Sequence, residues 1–163
     1  MSNLESEITP QVRVMQIICL ALAAGPIVFA GFVLATGSDR ADDGEPVISL
    51  IGYLMAGASL IAGPLIGRAV SRSQAVSPSQ PRAITEAAGF DPLCVAYQTG
   101  FIISSAVWEG AAFMNIMAYM MEGVPWNLII AGVLVTLNLV KFPTTAGVAD
   151  WMRDMQRELD QRN

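Results

Sequence analysis

The sequence predicts an all-α integral membrane protein: a four-helix transmembrane bundle made of two tandem helical hairpins, followed by a C-terminal amphipathic helix. Of its 163 residues, 53% are hydrophobic and only 14% are charged, and the mean hydropathy is +0.50. Such a composition does not describe a soluble surface. Four apolar segments, at about 14–36, 47–69, 95–121 and 125–142, are each long enough to cross a hydrocarbon core.

Composition also excludes several kinds of site. Nine Lys and Arg residues against fourteen acids provide no basic face, so we expect no nucleic-acid partner. The absence of histidine removes the commonest general base and metal ligand. Cys19 and Cys94 fall in or beside apolar segments, where they are expected as small buried side chains. With no GxSxG motif, phosphate loop or paired acids at depth, we expect no catalytic residue, metal or cofactor, and no enzyme.

The first span follows a polar N-terminal tail, residues 1–13, in which Thr9-Pro10 could start a helix. No charged residue lies between Arg13 and Asp39, which predicts a span over 14–36. A cleaved signal peptide is the alternative, but the run is long and three more follow it. Gly25-Pro26 is expected to bend this helix, because proline removes one backbone hydrogen bond.

The second span, 47–69, lies between an acidic loop (37–46) and a linker (71–92) that begins SRSQAVSPSQP. Gly52 and Ala56 are four residues apart, as are Gly63 and Gly67. This spacing predicts close approach of a neighbouring helix. The alternative is that small residues are simply common in membrane helices.

The third span, 95–121, starts after the capping pair Asp91-Pro92, carries Glu109 and closes at Glu122-Gly123. A fourth span, 125–142, opens with Trp126 at the interface and breaks at Phe142-Pro143. Residues 143–163 then form an amphipathic helix. It lies either on the membrane surface or against the ends of the bundle, and its mixed charge favours the second position.

Basic residues predict the orientation. With four spans, one basic residue, Arg40, falls on one side, and the other eight fall on the opposite side: Arg13, Arg68, Arg72, Arg82, Lys141, Arg153, Arg157 and Arg162. By the positive-inside rule, both termini and the linker are cytoplasmic.

The two halves also resemble copies of one hairpin. Glu45-Pro46 matches the turn that contains Glu122 and Pro125, and this alignment sets Ser59 against Asn138. A duplicated hairpin with a pseudo-twofold axis along the membrane normal is one interpretation. The other is that any two apolar hairpins look alike.

Glu109 is the candidate functional residue, because an ionised side chain at bilayer depth costs about 2.5–3.5 kcal/mol or more. Counting residues inward from the span ends places Asn138, Ser59 and the Gly25-Pro26 bend near its level, and Ser105 lies four residues before it on the same helix face. We predict a protonated Glu109 held in this membrane-embedded polar cluster. The alternative is a carboxyl group that points to lipid. We expect no ion pair with Lys141, which can extend to the headgroups.

The third segment contains AYQTGFII and WEGAAFMNIMAYMMEG. It resembles a motif in small four-span bacterial membrane proteins without assigned function, in which a tyrosine-glutamine start leads into an EGAAF-type centre. The resemblance covers mainly this span and fits a bacterial cytoplasmic (inner) membrane protein. More distantly, a hairpin with one midplane carboxylate is similar to the proteolipid subunit c of rotary ATPases, whose ion-carrying acid would map onto Glu109. The chain departs from subunit c because its acid lies in the first helix of the hairpin.

Two functions fit these observations. The first is a scaffold or accessory subunit of a membrane assembly, in which Glu109 joins helices. The second is a component of a proton or cation pathway that uses Glu109, favoured by oligomerisation because four helices enclose little room for a pore. The expected partners are the lipid bilayer and either a second copy of the chain or another membrane protein.

Overall fold

The computed structural model describes residues 2–37, 46–76 and 91–161, with side chains from residue 8 onward. These ranges form five helices and no strand: α1 (Ser2–Thr36), α2 (Val47–Val76), α3 (Pro92–Glu122), α4 (Pro125–Val140) and α5 (Thr145–Asp160). The all-α class is confirmed. Three helices, α1 to α3, are long and apolar enough to span a membrane, and α4 with α5, which meet at 71°, could form a fourth span.

Two helices extend beyond their predicted ends. The N-terminal residues predicted as a tail are helical from Ser2, so Pro10 lies inside α1 and does not start it. Packing of Ile8 and Val12 against α5 offsets the backbone hydrogen bond that Pro10 removes. Helix α2 continues to Val76, into the predicted linker, because adding turns to a formed helix costs little. The remainder of the linker (77–90) and most of the acidic loop (38–45) lie outside the described residues.

Helix α3 has a well-defined cap at each end. The Asp91 carboxylate accepts hydrogen bonds from the backbone N–H groups of Leu93 (2.8 Å) and Cys94 (3.3 Å), and Pro92 occupies the first turn. At the other end, Gly123 adopts φ 67°, a left-handed conformation that glycine tolerates, and its N–H reaches the Tyr119 carbonyl. The sequence signals Asp91-Pro92 and Gly123 therefore act as the boundaries of α3.

The bundle is organised around α3, which contacts α2, α4, α1 and α5. Its largest contact is an antiparallel interface with α2, in which Gly52 faces Asn115 and Gly67 faces Gly100. Helix α1 packs instead against α3, α4 and α5. The main partner of α2 is therefore α3 and not α1, its neighbour in the predicted first hairpin.

The buried face of α2 contains only small side chains: Ser49, Gly52, Ala56, Ser59, Gly63, Gly67 and Ser71. Their spacing alternates between three and four residues as far as Gly63, which keeps them on one face. A Cβ atom on Gly67 would lie 2.8 Å from the Gly100 carbonyl oxygen. The two backbones are therefore in near contact, as in membrane helix pairs with small interfacial residues.

Helix α5 packs against the ends of α1 and α3, the second of its two predicted positions. It buries Val148, Ala149 and Met152 in a cluster with Ile8, Val12, Met15 and Cys94. The Gln16 side-chain amide donates to the Pro143 carbonyl (3.0 Å), which ties α1 to the break between α4 and α5. The opposite face of α5 carries the ion pairs Arg153–Asp150 and Arg157–Asp154. We call this end of the molecule the α5 end.

Gly67→Ala is predicted to destabilise the bundle by about 1–3 kcal/mol, because the added methyl group meets a backbone carbonyl that cannot move aside. Gly57→Ala is the matched control on the same helix, where a Cβ meets nothing within 4 Å. It should be neutral or stabilising by up to about 1 kcal/mol, from helix propensity. Unfolding in a detergent titration followed by circular dichroism measures both. Equal stability of the two variants would contradict the close α2–α3 contact.

Candidate functional site

Glu109 lies in the middle of α3 and directs its carboxyl group at the Gly25-Pro26 segment of α1. A Cβ atom on Gly25 would lie 3.0 Å from Glu109 Oε1 and 3.3 Å from Phe113 Cζ. The Phe113 ring also packs on Phe29 of α1, with ring centroids 5.6 Å apart. The missing side chain at Gly25 therefore makes room for the carboxyl group between the two helices.

Glu109 and Asn138 line one narrow crevice, formed where α1, α3 and α4 meet. Its other lining residues include Pro26 and Trp108, and the remainder are apolar: Leu22, Ala23, Ala112, Leu134 and Val135. The crevice leaves no room for a water molecule. A hydrated ion therefore does not fit inside the crevice in this conformation, whereas a proton needs no such space.

The oxygen atoms around this crevice have unused capacity to accept hydrogen bonds. Asn138 is 3% exposed, and its side-chain oxygen Oδ1 is buried without a hydrogen-bond partner. Pro26 has no N–H, so the Leu22 carbonyl loses its normal helical donor. Buried acceptors of this kind normally find a donor. A protonated Glu109 has one to offer.

Two of the predicted cluster residues lie elsewhere. The Ser59 hydroxyl donates to the Ala56 carbonyl of its own helix (2.8 Å), and its backbone carbonyl faces Trp108 across the α2–α3 interface. Ser105 is buried but does not line the crevice. The structure therefore brings together Glu109, Asn138 and the Gly25-Pro26 segment. Counting residues inward from the span ends cannot give the direction in which each helix face points.

Sequence reasoning missed three hydrogen-bonding side chains on α3 that bind α2. The Trp108 indole donates to the Ser59 carbonyl (2.8 Å), and the Asn115 amide donates to the Gly52 carbonyl (3.0 Å). Glu122 accepts hydrogen bonds at the start of α2. Trp108, Asn115 and Glu122 are spaced seven residues apart, which is the signal that would have placed them on one face.

The Glu122 carboxylate caps α2 from the end of α3. It accepts from the backbone N–H groups of Ile48 (2.7 Å) and Ser49 (2.8 Å) and from the Ser49 hydroxyl. The Asn127 amide of α4 donates in turn to the Ser49 hydroxyl oxygen (2.6 Å). A carboxylate at a helix N-terminus is favoured by the free N–H groups and the helix dipole. This cluster joins three helices at the end of the bundle opposite α5.

Lys141 packs on an aromatic ring and does not pair with Glu109. Within the described part of the chain no ion pair joins these two residues, as predicted. Lys141 Nζ lies 3.7 Å from the centroid of the Trp108 ring, a contact that the sequence did not predict. A cation over an indole face gains electrostatic attraction from the ring.

Comparison with known proteins yields no match among family models, curated proteins or solved structures. The likeness to EGAAF-type four-span proteins therefore rests on the motif in α3 alone. A function for this chain has to come from the chemistry of its own residues.

Proposed function

We propose that the chain is a scaffold or accessory subunit of a membrane assembly. The observation that carries this proposal is the use made of polar side chains within the bundle. Trp108, Asn115 and Glu122 of α3 all bind backbone groups of α2. Because these groups lock one helix to another, they support a rigid apolar module better than a polar passage between helices.

The proposed arrangement of this module is a four-span bundle in a bacterial cytoplasmic (inner) membrane, with both termini on the cytoplasmic side. The fourth span has only partial support. Helix α4 has 16 residues, and the chain bends by 71° between α4 and α5. The bias of basic residues toward one side supports the orientation. A tandem hairpin repeat remains a prediction from the sequence.

Extraction of the full chain from the membrane with its surrounding lipid, using an amphipathic polymer, tests the scaffold proposal. We expect native mass spectrometry to find the 17.3-kDa chain in complexes with further copies or with other membrane proteins. A control extraction after dilution into detergent distinguishes stable assemblies from chance co-extraction, which detergent disperses. A chain found only as a monomer with lipid would contradict the proposal.

A second function, proton binding at Glu109, is favoured by a separate observation. The crevice pairs a carboxyl group with the unpartnered Asn138 Oδ1 and excludes water. A protonated Glu109 would satisfy that oxygen, and loss of the proton would leave a charge in an apolar surrounding. Under this proposal the carboxyl group is neutral at pH 7 and changes protonation when the protein works.

Glu109→Gln is predicted to leave bundle stability nearly unchanged, because glutamine also donates a hydrogen bond to Asn138. Glu109→Leu should destabilise it by about 0.6–1.7 kcal/mol, the range of one hydrogen bond between membrane helices. Infrared spectroscopy should show a protonated carboxyl band at pH 7 that is absent from the Gln variant. An ionised carboxylate at pH 7, or equal loss of stability in both variants, would exclude the proposed state.

A further inference from the structure

A second opening lies near the α5 end, and none of its lining residues lines the Glu109 crevice. Residues of α2, α3 and α5, together with Lys141, line an open cleft with a volume of about 240 Å³. We call it the basic pocket. One water needs about 10–15 Å³ of such space, so the pocket has room for a polar group of several atoms.

Two cations and no acid line the basic pocket. Arg68 comes from α2, and Lys141 follows the last turn of α4. Neither forms an ion pair with an acidic residue in the described ranges, where the ion pairs are those on α5. Two positive charges in one pocket, without an acidic partner in the described ranges, favour an anion as the ligand.

The uncharged groups of the basic pocket suit the same ligand. Hydroxyl groups come from Ser104 and Tyr97, and Trp151 brings an indole, whereas the Ser71 hydroxyl already donates to the Gly67 carbonyl (2.8 Å). The Tyr97 and Trp151 rings pack together, with centroids 5.3 Å apart. Hydroxyl and indole groups donate hydrogen bonds to anions, and paired amphipathic aromatics are typical of the headgroup level of a membrane.

We propose that the basic pocket binds a phosphate-bearing anion, namely the phosphodiester headgroup of an anionic membrane lipid. Arg68 and Lys141 would hold the phosphate oxygens. Pro64 and Phe101 provide apolar lining for the adjoining part of a lipid, which inorganic phosphate lacks. Basic pockets between membrane helices are known sites for such headgroups. The inference does not depend on either proposed function.

Native mass spectrometry of the full chain in neutral detergent tests this proposal. The chain is titrated separately with phosphatidylglycerol, phosphatidylcholine and inorganic phosphate. We expect retained phosphatidylglycerol and neither of the other two. The double variant Arg68→Gln, Lys141→Gln should bind phosphatidylglycerol about thirtyfold more weakly, for two lost charges near the headgroup.

The matched control is Arg153→Gln, Arg157→Gln, which removes the same charge from α5 outside the pocket and should retain binding. Arg68→Lys, Lys141→Arg keeps both charges and should also bind, which separates loss of binding from loss of fold. Equal affinity in the pocket and control variants would overturn the site. Binding of inorganic phosphate as tight as that of the lipid would overturn the lipid as its source.

Discussion

The close antiparallel contact of α2 with α3 determines the rest of this structure. Small side chains on α2 let the backbones meet, as Gly67 and the Gly100 carbonyl show. At this distance α3 side chains reach α2 backbone groups directly, and Asn115 donates to the Gly52 carbonyl. In lipid, where no hydrophobic force drives helices together, packing and such hydrogen bonds supply the association energy. Helices α1, α4 and α5 then assemble around α3.

Trp108 connects this contact to both proposed binding sites. Its indole N–H binds the Ser59 carbonyl on α2, its ring lies beneath Lys141, and its side chain also lines the Glu109 crevice. Trp108 therefore lines the carboxyl crevice and contacts Lys141, which lines the basic pocket. A change in the charge of Glu109 or in the occupant of the basic pocket would act on the same residue.

The sequence predicted the features that depend on local composition. Long apolar runs gave three of the spans, and Asp91-Pro92 and Gly123 marked the ends of α3. Glu109, Asn138 and Pro26, which counting residues places at one level, line one crevice. The sequence could not predict which helices become partners. The order of connection suggested that α1 pairs with α2, whereas the small residues on α2 pack against α3. For the same reason Ser59 was placed with Glu109, although α2 directs it at Trp108. The seven-residue spacing of Trp108, Asn115 and Glu122 was present but was not recognised.

Cysteine cross-linking in lipid bilayers tests the α2–α3 contact most directly. With Cys19 and Cys94 replaced by alanine, Ala56→Cys and Ala111→Cys place two thiols in one buried cluster between α2 and α3. Mild oxidation should join them, because residues 56 and 111 follow the register of the Gly52–Asn115 and Gly67–Gly100 contacts, and a disulfide needs Cα atoms within about 7 Å. The pair Gly57→Cys and Ala111→Cys is the control, since position 57 has nothing within 4 Å. A disulfide in the first pair alone is the predicted result. Cross-linking in the control and not in the first pair would contradict this packing.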